Sequence, residues 1–292
     1  MNEGLPTLSG VLICAIASAF ALWIARKSGF YRPLQPSAMT STVSFWHVIS
    51  GFLIYFAASL FAAPVLGAIL HRTLSVNAGL IGFVAWLNFT LSATILLGLL
   101  ALLLIMKPPV RNALWRRIEV PKEYFKDLQF AFFAWCLSFP FVAFTSQLLE
   151  YLLYLLFHIV ELPDQLAVYF VKMSFSHPGY FILALLSIVC FAPIVEELLF
   201  RGLFQSFLRS HFGPKLAILI ASLCFSFFHF SFEQGFGNIP IIASLFTLSL
   251  FLGYLYERQG SLVSSITLHA LFNMISIVSL YILGETPRHS MW

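Results

Sequence analysis

Charge is what this chain has least of. Asp, Glu, Lys and Arg make up 10% of its 292 residues, against about 25% in soluble domains. So little charge argues against a soluble globular domain, and the net charge of +4 is accounted for by basic residues in loops rather than by a nucleic-acid site. Cysteine is scarce as well. Cys14, Cys136, Cys190 and Cys224 all fall inside apolar segments with no CxxC spacing, which excludes a disulfide framework or thiolate metal centre. The first ten residues, MNEGLPTLSG, hold an acid and no Lys or Arg. They lack the basic start of a secretory signal, so the first apolar run is expected to be a mature span. There is no internal repeat, no low-complexity tract and no HExxH.

Apolar side chains are abundant: 60% of the chain is hydrophobic and Phe alone occurs 33 times. Runs longer than the roughly 20 residues that cross a bilayer predict an all-α, polytopic transmembrane helix bundle of about eight spans. The expected segments are 8 to 25, 45 to 70, 79 to 106, 128 to 159, 180 to 208, 215 to 232, 239 to 256 and 261 to 284. The fourth overshoots the hydrocarbon core, and Pro140 within it is expected to kink it or divide it into a span and an interfacial piece. Residues 1–127 form an N-terminal group of three helices with a basic loop, and residues 128–292 hold helices four to eight.

Sidedness follows from the loops. Arg26, Lys27, Arg32, Lys107, Arg111, Arg116, Arg117, Lys122, Lys126, Arg209, Lys215 and Arg258 fall on one side; Arg72, Lys172 and Arg288 fall on the other. The positive-inside rule makes the first side cytoplasmic and places both termini on the non-cytoplasmic side. The stretch 107 to 127 reads as a topology-setting loop against anionic lipid, with an amphipathic surface helix as the alternative. A short interfacial helix is expected within 162 to 179.

Against this background PIVEELLFR, 193 to 201, stands out. Ionisable groups inside spans cost about 2.5–3.5 kcal/mol each, so each is a functional hypothesis. Glu197 and Arg201 are i and i+4 in the favourable order for an ion pair. Glu196 is turned about 100° away and has no local partner. FSFFHF brings His229, and TLHALFNMI brings His269 and Asn273 on one helix face. Counted from the basic ends at about 1.5 Å per residue, Glu196 lies about 18 Å deep, His229 about 21 Å and His269 about 12 Å. They can meet in one membrane layer, where a carboxylate and two imidazoles could hold a water, a proton or a metal, and where the Asn273 amide could serve an oxyanion. That set fits amide hydrolysis. Phe225, one turn before His229, is read as packing, and Pro193 as loosening the helix so that water reaches Glu196.

EELLFR at 196 to 201, FSFFH at 225 to 229 and HALFN at 269 to 273 resemble the EExxxR, FxxxH and HxxxN motifs of the CAAX prenyl endopeptidase and Abi (CPBP) intramembrane protease family, over about 180 to 284. The resemblance implies that Glu196 and His229 position or activate the attacking water, that His269 and Asn273 support the oxyanion, and that Arg201 holds Glu197. It also implies a membrane-associated protein or peptide substrate, prenylated CAAX-type proteins included, and a bacterial inner (cell) membrane location. Family members in bacteria are linked to bacteriocin immunity as well, so a non-catalytic adaptor or self-immunity protein that keeps the fold is the alternative. A proton-relay transporter is a third reading, disfavoured by the absence of repeat symmetry. A zinc site of Glu196, His229 and His269 is open on the residues; a metal-free, glutamate-activated water is preferred.

Overall fold

The structure is a computed structural model that describes residues 7–34, 43–74, 79–115 and 121–283. Among the described residues all regular structure is helical. Helix α1 spans Leu8–Lys27; the Thr7 hydroxyl accepts from Gly10 N at its start, and Arg26 and Lys27 sit in its last turn, where they complement the exposed carbonyls. Helix α2, Phe45–Thr73, opens with Ser44 and His47 capping each other, and α3 is Gly79–Ile105. The short α4, Pro108–Trp115, precedes the long α5, Pro121–Phe157. Then come α6, Leu166–Ser174, the extended run α7, Pro178–Phe227, and α8, Asn238–Gln259, closed by Gly260 at φ 68°. Helix α9, Leu262–Ile282, is capped by the Ser261 hydroxyl, which accepts from Val263 N.

Seven of these runs are long and apolar enough to cross a membrane, and α7 alone has 50 residues. It is folded back on itself. Gly213 has φ 77° and ψ 169°, outside the helical region, and Pro214 follows without an N–H to continue the ladder. The limb 214–227 therefore returns along the limb 178–212: the Phe225 ring meets Phe200 at 5.2 Å, and Ala217 and Ala221 pack with Leu208. Counting the two limbs separately gives the polytopic bundle of about eight spans. Large apolar side chains such as Ile16, Phe20, Leu60, Leu104 and Ile282 point outward, as a lipid-facing surface requires.

The expected division at Pro140 does not occur. Helix α5 is one continuous helix through Pro140 and starts at Pro121 rather than 128. A membrane helix tolerates one missing N–H where neighbours pack around it, and α5 is wrapped by α1, α8 and α9. The stretch 107 to 127 is helical over Pro108–Trp115, with Val110 and Leu114 buried one turn apart against the core. The expected interfacial helix within 162 to 179 is α6. Arg116, Arg117, Arg288 and both chain termini, which enter the sidedness argument, lie outside the described residues.

Tyr254 donates to Phe30 O and accepts from Arg32 N, and Arg258 stacks on Phe130 at 4.1 Å. Arg209 pairs with Glu257 at 3.3 Å. These contacts gather the segments that carry Arg32, Arg209 and Arg258 at one end of the bundle. Lys172 and Asp164, 3.0 Å apart, pair elsewhere, on the segment joining α5 to α7.

Candidate active site

The site begins with an irregularity in α7. A six-residue α-helical stretch, Ala192–Glu197, lies between two π-helical turns, Leu186–Phe191 and Leu198–Gln205. Wide turns of this kind rephase side chains and recur at functional sites. Glu197 and Arg201 straddle the start of the second turn, and Nη1 of Arg201 lies 2.9 Å from Oε1 of Glu197. Both side chains are fully buried. The other guanidinium nitrogen, Nη2, donates to the Ser249 hydroxyl at 2.6 Å and the Ser249 carbonyl at 3.2 Å, and the plane lies over the Phe225 ring at 4.6 Å. An Arg fork can serve two elements at once, so this one ties α7 to α8.

His269 connects that buried pair to the partly buried Glu196 carboxylate. Its Nδ1 is 3.0 Å from Oε1 of Glu197. A carboxylate held by Arg can only accept, so the imidazole proton sits on Nδ1 and the Nε2 lone pair is left open. That Nε2 lies 3.8 Å from Oε2 of Glu196. His229 repeats the arrangement with a different acceptor: its Nδ1 donates to Phe225 O at 2.9 Å, and its Nε2 lies 3.7 Å from the same Glu196 oxygen. Oε2 of Glu196 is buried with no hydrogen-bond partner among the described residues. Two lone pairs and one carboxylate oxygen thus converge across gaps too long for direct hydrogen bonds, and a water beside them can bond to all three.

The structure brings together Glu196, Glu197, Arg201, His229 and His269. Asn273 joins them by a different contact from the expected one: its Nδ2 donates to Ile188 O at 2.9 Å. One of the two amide protons is therefore committed to the backbone of α7. Phe225 is fully buried and its ring contacts Arg201, His229 and His269, so the packing reading describes it.

Sequence reasoning missed Ser249. The signal was the spacing of Ser249 and Gly253, small residues four apart on an otherwise apolar helix, a pattern that lets helices approach closely. A Cβ on Gly253 would stand 2.8 Å from Oε1 of Gln205 and 3.1 Å from Ile218, so a side chain here would press on α7.

The fit of a zinc ion was tested on the same atoms. The donor types suit zinc, and each Nδ1–H has the kind of acceptor that orients a metal-binding histidine. Neighbouring ligand atoms in a tetrahedral zinc site stand about 3.3 Å apart, against the 3.7 and 3.8 Å found here. Among the described residues no group of three or more His, Cys, Asp and Glu side chains is arranged to hold a metal ion. At this spacing the three groups are not placed as ligands of one ion, and no step is routed through one.

Residues 178–275, which include all three motifs, match the family model described as type II CAAX prenyl endopeptidase Rce1-like. These residues are similar to that family. A relative, UPF0177 protein YaiF of Lactococcus lactis subsp. lactis (strain IL1403), is 29% identical over 119 residues, which is 40% of this chain and 48% of the relative. The chain thus spans about half the length of that curated relative. No solved structure matches. The Rce1-like segment runs from the first residue of α7 to within α9, so it contains every side chain that meets Glu196 or Glu197 in the contacts above.

Proposed function

We propose that this membrane protein is an intramembrane endopeptidase, hydrolysing a peptide bond of a membrane-associated protein or peptide by means of a water held between Glu196, His229 and His269. The observation that carries the reading is the partnerless Glu196 oxygen facing two Nε2 lone pairs at 3.7 and 3.8 Å. A water there can give one hydrogen to the carboxylate and the other to an imidazole, which fixes its oxygen lone pair toward a substrate carbonyl. Glu196 takes the proton as the water oxygen bonds to the carbonyl carbon, and returns it to the leaving amine as the C–N bond breaks. His229 holds the water. His269, steadied by Glu197 and Arg201, offers the water a second lone pair from Nε2. Similarity to the Rce1-like family supports a CAAX-type protease fold, and similarity to a Lactococcus lactis protein supports a bacterial cell membrane. The loop charges support a cytoplasmic basic end and non-cytoplasmic termini. The half-buried rings of Phe52, Tyr55 and Phe228 next to His229 support an apolar substrate segment; prenylated CAAX-type substrates are one class that would satisfy it.

The test is cleavage of membrane-anchored reporter peptides by the purified protein in lipid vesicles, with new termini read by mass spectrometry. His229→Ala is expected to lower turnover on the order of 100-fold with membrane insertion unchanged. Unchanged cleavage in that variant would remove His229 from the machinery; absence of any cleavage by the parent protein across a broad reporter set would remove the hydrolytic reading. A second measurement addresses the metal. Cleavage is expected to survive exhaustive chelation, and elemental analysis is expected to find zinc well below one per chain. Loss of activity that only added zinc restores would reverse the conclusion drawn from the spacing.

A further inference from the structure

We propose that Asn273 is a positioning residue whose amide supplies the hydrogen bond that Pro193 cannot, and thereby holds the wide turn ahead of Glu196 against α9. The proposal rests on the hydrolytic reading for its activity readout only. Within the π-helical turn Leu186–Phe191 the backbone bonds reach back five residues: Ala192 N donates to Ser187 O. The next donor in that register, opposite Ile188 O, is residue 193, and it is a proline with no N–H. A carbonyl left without its helical donor inside a membrane costs free energy unless another group satisfies it. Asn273 does so at 2.9 Å.

The consequence reaches the site because of where the two partners lie. Ile188 is in the turn that feeds directly into Ala192–Glu197, the segment that presents both glutamates. Asn273 is one helical turn from His269 on the same face of α9. The Asn273–Ile188 bond and the His269–Glu197 bond are therefore two rungs between the same helices, and the first helps to fix the separation across which the Nε2 of His269 faces Glu196. An asparagine acting solely on an oxyanion would have no reason to be matched to a proline on another helix.

That match provides the test. Pro193→Ala restores an N–H in the register that reaches Ile188 O. Four full-length proteins are compared: the parent, Asn273→Ala, Pro193→Ala and the double variant. Asn273→Ala alone is expected to lower kcat about 10- to 100-fold with KM little changed, the scale of a misplacement near 1 Å. Pro193→Ala is expected to stay within about threefold of the parent, and the double variant to recover to within about fivefold of Pro193→Ala, since the backbone now satisfies the carbonyl itself. A double variant as slow as Asn273→Ala would assign the amide to the oxyanion and overturn the proposal. Thermal midpoints of the same proteins in detergent decide the bond independently of cleavage. Removing Asn273 is expected to lower the midpoint in the parent and to leave it nearly unchanged in the Pro193→Ala background. Equal drops in both backgrounds overturn the proposal whether or not any variant cleaves, whereas coupled midpoints in a protein that cleaves nothing uphold the rung and remove the hydrolytic reading alone.

Discussion

Replacing Glu196 by Gln is expected to reduce reporter cleavage on the order of 1,000-fold, the middle of the range for loss of a positioned general base, while insertion and thermal midpoint stay near those of the parent. The reasoning separates shape from proton chemistry. Gln has the length and planarity of Glu, and the Glu196 side chain is 17% exposed and makes no direct hydrogen bond that the protein fold depends on. The amide, however, cannot accept a proton from water. Its NH2 can also donate to the open Nε2 of His229 or His269 once a small side-chain shift closes the present gap, which would take the place of the water. Glu196→Asp is expected to be less damaging, about 100-fold, because it keeps a base but withdraws it by about one methylene from both imidazoles. A Glu196→Gln protein that cleaves within a few-fold of the parent would show that the proton goes elsewhere, and the assignment of Glu196 as base would fail.

Much of this site could be read from the sequence because charge in an apolar chain is so rare. Glu197 and Arg201 were paired by spacing alone, and the same argument left Glu196 without a local partner; the structure gives the pair a 2.9 Å contact and sets Glu196 opposite the two histidines. The eight apolar segments were legible for the same reason, even where Gly213 and Pro214 turn a single helical run into two limbs. What could not be read depends on backbone register. The two π-helical turns have no signature in hydrophobic pattern, and an ideal helix places Ile188 O in an ordinary bond that leaves the Asn273 amide for substrate. Pro140 illustrates the opposite case: of the kink and the division expected there, the division does not occur, and the residue is carried within a continuous α5 packed by α1, α8 and α9. Ser249 went unnoticed because an uncharged serine in a span is common, and only its 2.6 Å contact with Arg201 distinguishes it.

The largest stability effect is expected from Arg201→Met. The guanidinium is buried, and removing it leaves the Glu197 carboxylate fully buried with His269 Nδ1 as its remaining donor among the contacts described. Breaking a buried pair from one side costs about 3–5 kcal/mol, measurable as a shift in the denaturant midpoint of the protein in mixed micelles. Ser249 loses its partner at the same time, so α7 and α8 are loosened together. Removing both charges with Glu197→Leu and Arg201→Met should be milder than the single change, because an apolar pair of similar volume leaves no uncompensated charge. Activity should not follow stability. Without Glu197 the Nδ1–H of His269 has lost its acceptor, so the ring is free to turn and the Nε2 lone pair no longer faces Glu196 reliably. The double variant is therefore expected to regain most of the midpoint and to remain at least about 100-fold slow. Arg201→Lys discriminates further: an ammonium can neutralise Glu197 but cannot fork to Ser249 as well, so it should fall between the parent and Arg201→Met in stability. Recovery of cleavage along with stability in the double variant would reduce Glu197 and Arg201 to a bond between neighbouring turns, and would leave His269 oriented by something other than the carboxylate it touches.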